Sequence, residues 1–158
     1  TSHCKTNTFA TGVCFAEVEV DMPLGIVTVK DIVNVHDSGI LINPKTAKGQ
    51  VHGGMSMGIG FGLSEKLLFD PKTGRALNNN LLDYKLSTFM DHPRLRAYFV
   101  ENPEPTSAFG TKSLGEPPTC PVAPAIRNAV YQATGVAVND APVNPHILFK
   151  RFKEEGLF

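Results

Sequence analysis

Two runs of alternating residues, joined by four others, most constrain what this chain can fold into. In residues 13–21, Cys14, Ala16, Val18 and Val20 fall on one side of an extended strand and Glu17 and Glu19 on the other. Residues 26–35 alternate too, and the reading puts Val27, Val29, Val33 and Val35 on one side. Successive side chains of a strand point to opposite faces, so each run buries one face and wets the other. Met22-Pro23-Leu24-Gly25 between them has proline and glycine where a type I turn favours them. The expectation is a β-hairpin with one apolar face that needs a cover.

The rest of the chain supplies that cover. His36-Asp37-Ser38-Gly39 ends the second strand, and Asn43-Pro44 reads as N-cap and first residue of a helix over 44–63. The second half of this helix holds Gly53, Gly54, Gly58, Gly60 and Gly62. Each glycine costs roughly 1 kcal/mol against alanine, so such a helix must gain from its bare surface, by close packing or by a ligand against its backbone. Residues 67–69 and 75–77 flank Asp70-Pro71-Lys72-Thr73-Gly74 and read as a second, smaller hairpin. Residues 81–90 fit neither period. Leu95, Ala97 and Phe99 make 94–101 a strand, closed by Pro103 and Pro105. Thr119 is expected to cap a helix with the stripe Val122, Ala123, Ile126, Ala129, Val130 and Ala133, with Pro121 in its first turn and Gly135 past its end. Asn144-Pro145 opens a last short helix before Gly156. The order is β-β-α-(hairpin)-β-α with a tail. It implies an α+β fold: a mixed β-sheet with helices packed on one face, in a single domain over 1–158.

Composition excludes some partners. Basic and acidic residues balance at 15 each, so neither a nucleic-acid footprint nor a polybasic membrane patch is expected. Zero net charge favours association, as in an obligate subunit. Cys4, Cys14 and Cys120 are an odd number without close spacing, which points to a reducing compartment such as the cytoplasm. The apolar window 51–63 is too short to span a bilayer. The first residue is Thr1, as in a processed chain or a piece of a longer polypeptide.

The stretch richest in chemical information is Gly110-Thr111-Lys112-Ser113-Leu114-Gly115-Glu116-Pro117-Pro118. The two prolines fix φ and remove donors, and Gly115 lets the backbone turn sharply or approach a ligand. Glu116 is therefore a carboxylate on a stiff support, either a positioned base or an acid on a proline-rich surface loop. Thr111 interrupts the Gly-Lys succession of a phosphate loop, and Gly58-Ile59-Gly60-Phe61-Gly62 lacks the dinucleotide spacing. His3, Cys4, His36, His52, His92 and His146 are scattered, without zinc spacing, so no side-chain metal ligand is expected. No Gly-x-Ser-x-Gly elbow is present. Gln50 carries a donor and an acceptor beside small residues and suits the edge of a flat heterocycle. Lys112, Ser113 and the backbone donors of Leu114 and Gly115 suit polar edges of the same ligand.

Gln50 on its glycine-rich helix, together with Lys112 to Pro118, resembles the molybdenum hydroxylases, the xanthine dehydrogenase and aldehyde oxidase family. Cys14 to Val20, followed by Asp31-Ile32-Val33-Asn34-Val35 and Ile42-Asn43-Pro44, is similar to the approach to that helix, and the likeness runs over about 9–149. It implies the C-terminal part of a molybdenum-binding subunit, with a xanthine-dehydrogenase-type cofactor-binding fold. The implied cofactor is molybdenum-molybdopterin, which bacterial members commonly carry in the cytosine dinucleotide form. Gln50, Lys112, Ser113, Leu114 and Gly115 would contact the pterin, and Glu116 would be the catalytic base in hydroxylating an N-heterocycle such as a purine, with water as oxygen source. Electrons would pass to 2Fe-2S and FAD groups on partner domains or subunits. The remainder of the molybdenum-binding subunit, the 2Fe-2S subunit, the FAD subunit and a small-molecule substrate are the implied partners. Nicotinate, aldehydes or an aromatic thioester are alternative substrates within the family. A non-catalytic module completing a cofactor cleft is the alternative of another class, and it has no need of an ionisable Glu116.

Overall fold

The computed structural model describes residues 8–158; the expectations placed on His3 and Cys4 lie outside them. Strands β1 (Thr11–Asp21) and β2 (Ile26–Asp37) pair antiparallel, and β3 (Arg94–Val100) adds parallel to β2, giving a mixed sheet in the order β1-β2-β3. Helix α1 (Pro44–Leu63) makes the crossover from β2 to β3, and α2 (Val122–Thr134) and α3 (Pro145–Glu154) follow. The core sits between one sheet face and the helices: Val29, Ile32 and Ala97 from the strands meet Val51, Met55, Ile59, Val122 and Ile126. A second cluster joins Val130, Val136, Val138 and Val143 to Leu148 and Phe152 of α3.

The local signals account for most boundaries. Asn43 Oδ1 accepts from the backbone of Lys45 and Thr46, and Pro44 takes the first helical position, so α1 begins as expected. Gly135 ends α2 with φ 74°, a conformation that favours glycine. Asn144 caps α3 through Ile147 N at 3.0 Å.

Three readings are corrected. In β2, Glu17 pairs with Asp31 and Val18 with Val29, which leaves Lys30 as a bulge. One extra residue inverts the parity of everything beyond it. Val27 and Val29 do face the core, but the buried residues after Lys30 are Ile32, Asn34 and His36, while Val33 and Val35 fall on the other face. Thr119 does not cap α2. Pro121 stands at the N-cap with no side-chain bond, and Pro124 lies in the first turn, where its missing N–H costs nothing. The second hairpin reduces to a single bridge between Phe69 and Ala76 around the Asp70–Gly74 turn.

Much apolar surface stays open. Val13, Phe15, Tyr98 and Val100 are exposed on the outer sheet face, and Leu81, Leu82, Phe89 and Met90 on the segment between α1 and β3, Phe89 at 89%. No helix among the described residues is long and apolar enough to cross a membrane.

Candidate functional site

Gly54, Gly58 and Gly62 of α1 fall on one stripe with Gln50, and that stripe is matched position by position by residues 115–126. Gln50 Nε2 donates to the carbonyl of Gly115 at 2.8 Å. A Cβ on Gly54 would lie 2.7 Å from Pro118 Cβ, one on Gly58 2.5 Å from Val122, and one on Gly62 3.5 Å from Ala123. Spacings of four put these residues on one helix face. Close packing therefore explains Gly54 and Gly58, whereas Gly49 and Gly53 have nothing within 4 Å and leave bare backbone on α1.

Residues 112–118 are held at both ends as well as in the middle. Lys112 N donates to Ser38 O at 2.8 Å, and Lys112 Nζ lies 2.7 Å from Asp37 Oδ2. Asn34 Nδ2, wholly buried, donates to Pro118 O at 2.9 Å. Lys112, expected to face a ligand, turns its ammonium to Asp37. The Lys112 hydrogen bond holds the Asp37 carboxyl below the usual carboxylate range. Between the anchors on β2 sits His36, 1% exposed, with no partner for either ring nitrogen among the described residues. Its ring packs so tightly over Gly12 that a Cβ there would overlap Nδ1. Burial pushes the His36 imidazole down from its ordinary pKa, so it is neutral near pH 7.

The segment forms the wall between two clefts. Thr111, Lys112 and Leu114 line one of about 420 Å³ with Gln50, Asn43 and Thr46. Ser113, Glu116 and Pro117 line the other, of about 490 Å³, with Gly12 and Cys120. No motif marks Asp37, Asn34, Gly12 or Cys120 as part of the site. Their signal is distance in the chain, which no local pattern carries.

Among the described residues nothing accepts from the backbone N–H of Ser113, Leu114, Gly115 or Glu116. Gln50 keeps its Oε1 and its second amide hydrogen. The Glu116 carboxylate is exposed and has no hydrogen-bond or ion-pair partner among those residues. The remaining Gln50 amide hydrogen and carbonyl can meet acceptor and donor atoms of a guest beside the open backbone of α1, and the exposed Glu116 carboxylate can accept a proton. No group of three His, Cys, Asp or Glu side chains among the described residues is placed to hold a metal ion.

Fold and site thus define an α+β domain with a bare helix face, two open clefts beside it and one exposed carboxylate. Residues 1–93 match the family model for the molybdopterin cofactor-binding domain, and the chain belongs to that family. It is 55% identical over 152 residues, 96% of the chain and 20% of the relative, to an Escherichia coli protein named putative xanthine dehydrogenase molybdenum-binding subunit XdhA. It is 38% identical over 130 residues, 82% of the chain and 18% of the relative, to the E. coli aldehyde oxidoreductase molybdenum-binding subunit PaoC. Among solved structures, quinoline 2-oxidoreductase from Pseudomonas putida matches with TM-score 0.80 and 31% identity over 87% of this chain and 18% of that one. Reconstituted CO dehydrogenase from Oligotropha carboxidovorans matches with TM-score 0.86 and 26% identity over 95% of this chain and 19% of that one. The chain spans about one fifth of the length of these relatives.

Proposed function

We propose that this chain is the portion of a molybdenum hydroxylase that carries the catalytic base and one wall of the cofactor cleft. The observation that carries the reading is the Glu116 carboxylate, without a partner among the described residues, one residue beyond the Gly115 carbonyl that the Gln50 amide holds. Gln50, Ser113, Leu114 and Gly115 hold the pterin of a molybdenum-molybdopterin cofactor. Lys112 lines the cleft of Gln50 and Leu114 with its charge directed at Asp37, and Ser113 lines the neighbouring cleft with Glu116. When bound, the cofactor supplies the two-electron oxidation and the oxygen-transferring centre, and the protein supplies placement and the base.

Glu116 accepts the proton released as a substrate carbon gains oxygen derived from water. Its neighbours Pro117 and Pro118 stiffen the support, and the Asn34–Pro118 bond fixes that side of the turn. A carboxylate with no partner among the described residues starts as a competent acceptor, because no hydrogen bond to them has to break first.

The substrate class is an N-heterocycle such as a purine, a reading supported by the 55% identity to a protein named as a xanthine dehydrogenase subunit. Electrons leave to 2Fe-2S and FAD groups on other subunits, and the assembly works in the cytoplasm. The open faces at Phe15, Tyr98, Leu81 and Phe89 are where the remainder of the molybdenum-binding subunit packs. The test is expression with the neighbouring subunits, molybdenum analysis, and oxidation assays on purines, nicotinate and aldehydes. Molybdenum with purine hydroxylation is expected. Molybdenum with aldehyde oxidation alone moves the substrate class, and an enzyme that stays active without this chain makes it a docking module.

A further inference from the structure

Four bonds hold the segment that carries Glu116, to Ser38, Asp37, Gln50 and Asn34, and the one to Asp37 is a desolvated ion pair. The side chains of Lys112 and Asp37 are 7% and 15% exposed at 2.7 Å separation. Asp37 Oδ1 also accepts from Gly39 N at 3.1 Å, and Asn102 Nδ2 reaches Oδ2 at 3.3 Å. Gly39 itself, at φ +66°, bridges to Thr111, so the end of β2 is zipped to the start of the segment. Beyond Lys112 the backbone N–H groups of residues 113–116 have no partner among the described residues. The path of the chain up to Glu116 is therefore set by the Lys112 anchor and the Gln50–Gly115 bond.

We propose that Lys112 and Asp37 are positioning residues for Glu116, and that Lys112 is not a cofactor ligand. This rests on Glu116 being the base. The ion pair fixes where the segment leaves β2, and four residues later that fixes the carboxylate. A misplacement of about 1 Å in a reacting group can cost on the order of 10²-fold in rate. A partner group left buried after truncation of the pair is itself a strong perturbation.

The test uses the assembled enzyme carrying Lys112→Met, Asp37→Asn, both together, or Glu116→Gln. Each single change at the pair is expected to lower kcat by about 10- to 100-fold, with KM and molybdenum per protein near wild type. The double variant is expected to lose no more than either single, because the two act as one unit. Molybdenum lost in Lys112→Met but kept in Asp37→Asn makes Lys112 a cofactor ligand and overturns the proposal. Normal kcat in both singles overturns it too. Where these variants fold poorly, Lys112→Arg keeps the charge and changes the length. Reduced kcat at full molybdenum then supports positioning, and activity lost in step with molybdenum contradicts it. Normal turnover by Glu116→Gln removes the base itself; an inactive Glu116→Gln beside normal pair variants removes only the positioning role.

Discussion

Gln50 donates its side-chain amide to the carbonyl of Gly115 at 2.8 Å, one residue before Glu116. That bond ties the bare helix to the acid's support across 65 residues of sequence. It leaves Gln50 with one amide hydrogen and its carbonyl for a guest, so a single side chain sets the distance between cleft and base.

Removing that tie acts on two quantities. Gln50→Ala is expected to lower molybdenum per protein severalfold and to destabilise the subunit by about 1 kcal/mol, the ordinary net worth of one hydrogen bond. Metal analysis and chemical denaturation read the two separately. Full molybdenum with unchanged stability contradicts the arrangement.

Neighbouring glycines of α1 respond in opposite ways. Gly54→Ala places a Cβ 2.7 Å from Pro118 Cβ and 3.1 Å from its carbonyl carbon, neither of which can swing aside. A loss of about 1–3 kcal/mol is expected from overpacking. Gly53→Ala meets open space and gains up to about 1 kcal/mol from helix propensity. Thermal unfolding of the two variants side by side checks the sign.

Particular residues show how far the sequence could be read. Asn43-Pro44 located α1 because capping is local, and Gly135 located the end of α2 for the same reason. The buried face of β2 was misread beyond Lys30 because a bulge leaves no mark on an alternating run of valines. The glycine helix announced a close approach without saying to what; the partner proved to be Pro118 and Val122 on a distant stretch. The Gln50–Gly115 and Lys112–Asp37 contacts span 65 and 75 residues, and no periodicity carries such pairings. A lysine beside Ser and Gly reads as a ligand-facing cation, and the 75-residue separation hides the carboxylate that its ammonium meets.

The acid side of the stability profile belongs first to His36. Burial lowers its pKa in the folded protein, so below about pH 6.5 the unfolded chain binds a proton that the folded one refuses. Stability therefore falls as pH drops from about 6.5 toward the folded value. Asp37 adds a second loss lower down: its contribution is present above about pH 3.9 and goes as pH falls through its lowered folded value. Denaturation midpoints at pH 7.5 and 5.5 are expected to differ for the native chain and to converge in His36→Gln.

The most direct measurement is the rate at which substrate reduces the assembled, molybdenum-loaded enzyme in a single turnover, for the native protein and for Glu116→Gln. A general base contributes about 10²–10⁴ in rate, and a fall of that size at unchanged molybdenum content is the expected result. A Glu116→Gln enzyme that is reduced within a few-fold of the native rate, at equal molybdenum, contradicts the assignment of Glu116 as the base.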